Sequence, residues 1–247
     1  MSDALAAFQT TPPPPSREGS RGPGRPRGQR SEDTRGRILD AAEHLFADRG
    51  YDGASIRDVA AAAGVQVHAV GYHFGPKDEL FDAVVARRAA IMTDLRRRAL
   101  ADLREASGEA PLSVADMIRA YVTPFIQSAG HGEPGWRNYA ALMGRLANSP
   151  VGTEIIAKHY DETARAYVAE FARALPGADP REIVSGFLAL VAAMLSICAR
   201  TGRADRLSNR AARPGGAKRT RSPAQSIETL VRFHTAGFSA LSDKDRT

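Results

Sequence analysis

The sequence predicts an all-α protein, and three observations support that prediction. Alanine is abundant, whereas aromatic residues make up only 6% of the 247 residues, a composition that favours helices over sheets. Apolar residues recur at helical spacing along most of the chain, and no segment shows the period-2 alternation of a strand or an internal repeat. We therefore predict a three-helix N-terminal unit followed by a larger helical bundle, about nine helices in total.

Composition and charge narrow the class of protein. Hydrophobic residues make up 43% and charged residues 25% of the chain, which is typical of a globular protein of one or two domains. The net charge of +6 indicates an anionic partner such as nucleic acid or acidic lipid, although solubility alone would also explain it. The single cysteine, Cys198, fits a reducing, cytoplasmic compartment. The N-terminus does not have the pattern of a secretory signal.

The first 30 residues are predicted to form a disordered basic arm. Four consecutive prolines and the run SREGSRGPGRPRGQRS bury too little apolar area to offset the chain entropy. A first helix is predicted to begin at about Thr34 and to end at Gly50, because glycine commonly follows the last turn of a helix.

Two short helices are predicted to follow. Ser55 opens the second helix with the sequence S-I-R-D, a capping box in which Asp58 replaces the usual Glu. Gly64 closes that helix, and a third helix spans 67–74 before a glycine-proline pair. A capped helix, a tight glycine turn and another short helix predict a helix-turn-helix domain over residues 31–80.

The outward face of this arrangement mixes hydrogen-bond donors, acceptors and an aromatic ring, which suits the reading of base edges in a DNA major groove. The arm could follow phosphates or enter a minor groove, although a solvated tail and side chains that pack within the head remain alternatives. The predicted contacts are Arg25, Arg27 and Arg30 in the arm and Gln66, Val67, His68, Gly71, Tyr72 and His73 in the head.

The stretch ILDAAEHLFADRGYDGASIRDVAAAAGVQVHAVGYHFGPKDELFDAVV resembles the DNA-binding domain of the TetR family of bacterial regulators. Many elements between Arg35 and Val85 agree with that family in spacing. The resemblance implies a homodimer with a ligand-responsive C-terminal domain and a third helix that enters the major groove. It also implies that Tyr72 and His73 contact phosphates and bases. Lys77 would hold a phosphate, and Ser55 would cap the second helix and face the DNA backbone.

Two positions depart from the family pattern. Gln66 stands where the family usually has Ser or a similar residue, and Gln is a poor helix cap. Gly71 stands where many members carry Tyr or Asn, and Gly costs about 1 kcal/mol of helix propensity relative to Ala. Both positions lie where an operator sequence would be chosen.

Residues 81–247 are predicted to form a ligand-binding and dimerisation domain. Its long first helix, from Lys77 to about Ala106, is expected to bury an apolar side that includes Ile91 and Leu95. Arginines are expected on its outer side: Arg87, Arg88, Arg96, Arg97 and Arg98. Further helices are predicted at about 112–129, 135–148, 151–175, 180–201 and 224–241, with a basic flexible loop at 201–222.

Two of these helices are predicted to form the interface of a homodimer. Residues 183–199 are almost wholly apolar, which fits either a membrane span or, as we predict, a helix buried in a core or subunit interface. The last helix carries a near-heptad stripe of Ile227, Leu230, Val231, His234, Phe238 and Leu241. We expect helices 180–201 and 224–241 of two subunits to pack together, with no membrane involved.

Large and polar-tipped side chains in the middle of the C-terminal helices predict a pocket for a small, mostly apolar effector. Ordinary core packing is the alternative for each of them. The predicted pocket residues are Met92, Tyr121, Phe125, Trp136, Tyr139, Met143, Tyr160 and Tyr167. His159, Arg137 and Arg145 could anchor an acidic group of the ligand.

The sequence predicts a transcriptional regulator, a repressor that a small molecule releases from double-stranded operator DNA by a population shift. A ligand-independent repressor or an architectural DNA-binding protein is the alternative. We predict no enzymatic activity, catalytic residue, metal site or cofactor. The sequence shows no metal-ligand cluster, no phosphate-binding glycine loop and no nucleophile elbow.

Overall fold

The computed structural model describes residues 27–131, 133–147, 149–199, 203–207 and 222–242. Within these ranges the chain forms ten α-helices and no strand, which confirms the all-α prediction. The helices are α1 (Arg27–Gly53), α2 (Ile56–Ala63), α3 (Val67–Phe74), α4 (Lys77–Ser107), α5 (Val114–His131), α6 (Pro134–Leu146), α7 (Pro150–Ala174), α8 (Pro180–Cys198), α9 (Arg203–Leu207) and α10 (Pro223–Ser242).

Local sequence signals set both ends of α2. The Ser55 hydroxyl accepts a hydrogen bond from the Asp58 amide at 3.1 Å, and the Asp58 carboxylate accepts one from the Ser55 amide at 3.0 Å. The predicted capping box is therefore present. Hydrogen bonds from Ser55 lower the pKa of Asp58. Gly64 ends α2 with φ 64°, a left-handed conformation that glycine adopts without steric cost.

Helix α1 starts earlier than predicted. It begins at Arg27, directly after Pro26, rather than at Thr34. Residues 27–30 of the predicted arm are therefore helical, because no proline interrupts the sequence after residue 26. Gly50 breaks the helix as predicted, with φ 74° and ψ 177°, but the helical path resumes as far as Gly53.

The body is built around α4, which begins in the head and packs against α5 and α7 further along. Helix α1 lies along α6, and α10 packs against α5 and α8. A single hydrophobic core runs from Ile38 in the head to Phe238 in α10. The predicted domain boundary at residues 80 and 81 falls inside α4, so the predicted head and body share one helix.

The prediction of which side chains of α4 face the core was partly wrong. Arg88 and Arg96 were placed on the outer side but are buried, whereas Ile91 and Leu95 are exposed. The reason is geometric, since side chains three or four residues apart share a helix face. The buried stripe of α4 runs through Phe81, Val85, Arg88, Met92, Arg96 and Leu100.

The near-heptad stripe of α10 was also misassigned. Ile227, Leu230, Val231, His234 and Phe238 are buried within one subunit, where α10 packs against α5 and α8. A repeat of apolar residues fits a face within a subunit and a face between subunits equally well. Burial lowers the pKa of His234, so its ring is neutral at pH 7.

Helix α8 buries only one of its faces. Ile183, Phe187 and Leu190 are buried, while Val184 and Leu188 are exposed on the opposite side. Among the described helices, α8 alone meets the length and hydropathy expected of a membrane span. Its outer face therefore presents apolar surface that the described part of the chain does not cover.

The head is joined to the body by a buried carboxylate. Glu43 of α1 is 1% exposed and accepts hydrogen bonds from Arg87 Nη2 at 2.8 Å and Arg88 Nε at 3.0 Å. Burial alone would lower the pKa of Arg87, but its hydrogen bonds to Glu43 and Asp40 raise it. The Arg88 guanidinium also lies 4.9 Å from the Trp136 ring centroid, which adds α6 to the cluster.

We expect Glu43→Gln to destabilise the protein by about 3 kcal/mol, because it removes the buried carboxylate from the buried Arg88 charge and leaves only the exposed Glu133 carboxylate at 3.4 Å. Urea unfolding at one fixed protein concentration measures this loss. Asp40→Asn is the matched control, since Asp40 pairs with Arg87 at 2.7 Å from an exposed position and should contribute about 1 kcal/mol or less. Equal stability of the two variants would contradict the role assigned to Glu43.

Candidate functional site

Helix α3 presents a continuous exposed face at the end of the molecule. Gln66, Val67, His68, Gly71 and Tyr72 are all exposed, and Tyr72 is the most open of them at 84%. On the opposite side of α3 its buried residues anchor the helix to the core. The structure thus brings most of the predicted head contacts onto one surface.

The two unusual positions of this face have clear structural consequences. Gln66 makes no side-chain capping hydrogen bond, so the first turn of α3 lacks a side-chain cap. A methyl group at Gly71 would have no neighbouring atom within 4 Å. The backbone at Gly71 is therefore uncovered and could be approached closely by a partner.

Two further predicted residues lie at the edge of this surface. The Lys77 ammonium sits 4.2 Å from the centroid of the Tyr51 ring, and the Tyr51 hydroxyl donates to the Asp78 carboxylate. His73 is half-buried, with its ring between Tyr72 and the core. Lys77 is thus held by an aromatic ring at the first residue of α4.

Of the predicted basic arm, residues 27–30 lie within the described part of the chain. Arg25 lies outside the described residues, and Arg27 is the first residue of α1. Arg30 is exposed on the first turns of α1. Of the predicted basic loop at 201–222, Arg203–Leu207 form the short helix α9 and Ser222 is described, and the rest lies outside the described ranges.

A groove of about 1090 Å³ separates α3 from the start of α7. Its α3 wall includes Gly71 and Tyr72, and four carboxylates and two cations also line it: Asp78, Glu79, Asp82, Glu154, Arg35 and Lys158. Burial alone would raise the pKa of Asp82, but hydrogen bonds from two α7 side chains outweigh that effect and lower it.

The residues that hold Asp82 are Lys158 and His159, each at 2.8 Å. His159 therefore pairs with α4 and is not positioned as the ligand anchor considered from the sequence. The other two candidate anchors, Arg137 and Arg145, are exposed. None of the three enters the interior of the bundle.

The eight predicted pocket residues are all buried in the body. Several of them surround Arg96, whose guanidinium carbon lies 3.8 Å from the Tyr121 ring centroid and 5.9 Å from those of Phe125 and Tyr160. Tyr167 donates its hydroxyl hydrogen to the Arg96 carbonyl at 2.9 Å. Trp136 lies further out, with its ring centroid 5.9 Å from that of Tyr139.

Burial favours the neutral form of three tyrosine hydroxyls inside the body, those of Tyr139, Tyr160 and Tyr167. Burial raises the pKa of Tyr160 to about 12 and the pKa of Tyr139 well above its ordinary value. Their two hydroxyl oxygens are 2.5 Å apart in a shared hydrogen bond. Burial likewise raises the pKa of Tyr167. The interior is thus rich in neutral hydroxyl donors around one positive charge.

The sequence reasoning missed Glu43, Arg88 and Arg96 as residues of the interior. A signal existed for the arginines, because both continue the helical spacing of the buried stripe of α4. Glu43 carried the same signal, since it lies four residues after the buried Leu39 and four before the buried Ala47, but its partners lie 44 and 45 positions away in sequence. No group of three or more metal-ligating side chains is found in the described part of the chain.

Two family descriptions match this chain. Residues 38–84, which contain the head helices, match "Bacterial regulatory proteins, tetR family". Residues 119–237, which contain most of the body, match "Tetracyclin repressor-like, C-terminal domain". Both matches agree with the family resemblance found in the sequence.

Characterised proteins support the same family. The HTH-type transcriptional regulator BetI of Burkholderia thailandensis is 29% identical over 160 residues, 64% of this chain and 77% of BetI. The HTH-type transcriptional repressor AcnR of Corynebacterium glutamicum is 37% identical over 68 residues, 28% of this chain and 36% of AcnR.

Solved structures show the same fold. A putative transcriptional regulator from Pseudomonas aeruginosa PAO1 matches with a TM-score of 0.56 and 18% identity, covering 85% of this chain and 94% of its own. The hemolysin II transcriptional regulator HlyIIR matches with a TM-score of 0.56 and 18% identity, covering 87% and 99%.

Gly71→Ala should stabilise the protein, because the position is helical and open and Ala gains about 1 kcal/mol of helix propensity over Gly. We expect the melting temperature to rise by about 2 °C. Gly36→Ala in α1 is the matched control, since a methyl group there also meets nothing within 4 Å. A lower melting temperature for Gly71→Ala alone would show that α3 needs the glycine for its conformation.

Proposed function

The chain belongs to the TetR family of bacterial transcriptional regulators, which bind DNA, and from that premise we propose that it is a dimeric repressor released from its operator by a small molecule. The observation that carries the DNA-binding part of the proposal is the exposed face of α3. The repressor activity, the dimer, the effector and the cytoplasmic location are parts of the same proposal.

The face of α3 suits contact with the edges of bases in a major groove. Gln66 and His68 can donate and accept hydrogen bonds, and the Tyr72 ring stands in solvent with its hydroxyl free to reach DNA. A major groove accepts one helix and offers a different pattern of donors and acceptors for each base pair. We propose that these residues read the operator while Lys77 and Ser55 contact phosphates.

Support for a dimer comes from apolar side chains that the described residues of one chain leave exposed. Leu188 on α8 is 60% exposed and Phe233 on α10 is 74% exposed, and the two helices pack against each other. Patches of this kind commonly mark protein interfaces. We propose that the outer faces of α8 and α10 meet those of a second subunit, which would set two α3 helices about 34 Å apart or a multiple of that distance.

Release by an effector requires a path from the interior of the body to the head. Tyr139 and Trp136 are neighbours on α6, Arg88 lies over Trp136, and Glu43 holds Arg88 to α1. We propose that a ligand among the tyrosines favours a different position of α6 and α1. The spacing between the two heads would then no longer match DNA, which is a shift between two populated states.

Substitution of Tyr72 and Lys77 tests the assignment of the DNA surface. We expect Tyr72→Ala and Lys77→Ala to fold normally and to lose at least about tenfold in affinity for DNA that flanks the protein's own gene. Lys77→Ala should also reduce the slope of log affinity against log salt by about 1, because one phosphate contact is lost.

Gel shifts across a range of salt concentrations, including about 150 mM, measure both quantities after a footprint has located the site. Arg97→Ala is the matched control, since Arg97 is exposed on α4 in the body and pairs with Asp94. Unchanged affinity for both head variants would remove α3 and the start of α4 as the DNA surface.

Charged substitutions test the proposed dimer. Leu188→Glu and Phe233→Glu should convert the dimer to a monomer, because each places a charge in an apolar interface. Sedimentation velocity measures the change, and DNA affinity should fall with it because each monomer holds only one half-site. Ile91→Glu, at another exposed apolar position, should leave the dimer intact. A dimer that survives both interface substitutions would place the interface elsewhere.

A further inference from the structure

Arg96 is a fully buried cation in the middle of the body. It is 2% exposed and belongs to the buried stripe of α4. Its Nε donates to the Tyr121 carbonyl at 2.9 Å, and its Nη2 lies 3.6 Å from the sulfur of Met194. A thioether is a weak hydrogen-bond acceptor, whereas the Tyr121 carbonyl is a strong one.

The charge of Arg96 has no counter-charge among the residues that the structure describes, since none of their carboxylates forms an ion pair with it. An arginine side chain keeps its charge in proteins. Aromatic faces offset such a charge by about 2 kcal/mol when desolvated, whereas burial of an ion costs several kcal/mol. Arg88 on the same helix shows how the charge of a buried arginine is usually balanced, because Glu43 supplies its counter-charge.

The groups around Arg96 suit an anion with an apolar body. Tyr139 and Tyr160 hold neutral hydroxyls that already share a hydrogen bond, and one of them could turn its hydrogen toward an incoming oxygen. The remaining walls are aromatic rings and the thioether. One positive charge among buried aromatic rings balances one negative charge, which favours a monoanion over a doubly charged phosphate.

We propose that Arg96 binds the carboxylate of the effector and that the aromatic residues around it hold an aryl or acyl body. This inference rests on the proposed function, because it names the chemical class of the molecule that releases the repressor. A guanidinium and a carboxylate form paired, nearly parallel hydrogen bonds. The carboxylate would replace the thioether as the partner of the Arg96 terminal nitrogens.

The competing role for Arg96 is structural. Its bond to the Tyr121 carbonyl braces α4 against α5, in which Pro124 interrupts the backbone hydrogen bonds one turn away. A brace needs no ligand and shows no preference between a carboxylate and a neutral molecule of the same shape. That difference separates the two roles.

The test uses the full-length dimer and two pairs of probes, benzoate with benzamide and decanoate with decanamide. Binding is followed by the fluorescence of Trp136, the single tryptophan of the chain, and by calorimetry. We expect at least one carboxylate to bind at least about 30-fold more tightly than its amide, the effect of removing one partner of a buried charge pair. This comparison needs no variant and so does not depend on the folding of one.

Arg96→Gln and Arg96→Lys then assign the preference to this side chain. Arg96→Gln should reduce the preference for the carboxylate to less than about threefold, and Arg96→Lys should retain part of it because the charge remains. The matched control is Arg97→Gln, which changes the neighbouring exposed arginine and should keep the full preference. Thermal unfolding of each variant shows whether it is folded.

The outcomes separate this inference from the proposed function. Equal binding of carboxylate and amide, binding of neither probe pair up to about 1 mM, or an unchanged preference in a folded Arg96→Gln overturns the role of Arg96. Loss of the preference for the carboxylate in Arg96→Gln supports the role of Arg96. If the carboxylate binds and DNA nevertheless stays bound, the role of Arg96 stands and the proposed release by a ligand is contradicted. Release of DNA by the amides as readily as by the acids keeps the proposed function and overturns the inference.

Discussion

The ion pairs of Glu43 with Arg87 and Arg88 are the constraint on which the relation between head and body depends. The carboxylate comes from α1, both guanidiniums come from α4, and Trp136 of α6 covers one of them. Separation of any of these helices would leave a charge without its partner in a dry environment, which is costly. These contacts tie α1 of the head to α6 and to the start of α4, as the proposed transmission of a signal from the body to α3 requires.

The two buried arginines of α4 differ in how their charges are matched. Arg88 is fully matched by a carboxylate of the protein and holds the fold together. Arg96 sits in a similar position further along the helix, where the surrounding residues offer rings, a carbonyl and a sulfur. The first arrangement is complete in the single chain, whereas the second would be completed by an anion from outside.

Much of the fold could be predicted because local signals determine it. The capping box at Ser55, the left-handed Gly64 and the glycine-proline pair before α4 predict the positions of α2, α3 and the start of α4. The exposed residues of α3 could be predicted from the helical spacing of its apolar side chains alone. The helix bounds of the body also followed from apolar spacing and from the residues that interrupt it.

The failures have a common physical cause. Arg88 and Arg96 were predicted to face solvent because they are charged. Whether a helix residue is buried depends on the face of the helix that it occupies. The partner that makes a buried charge tolerable lies far away in sequence. The stripe of α10 was interpreted as an intersubunit surface. The spacing of apolar residues indicates that a helix face is covered, but it does not indicate whether the same subunit or a second subunit covers it. Tertiary contacts decide both questions.

Gly135 in α6 limits how this protein can vary over evolution. A methyl group at that position would lie 2.2 Å from Arg88 Nη2 and 2.5 Å from Glu43 Oε1, so any larger residue displaces the ion pair between α1 and α4. A genetic screen for regulators locked in a single state would be expected to yield substitutions at Gly135. Such alleles would change gene expression although the altered codon encodes neither a DNA contact nor a wall of the interior.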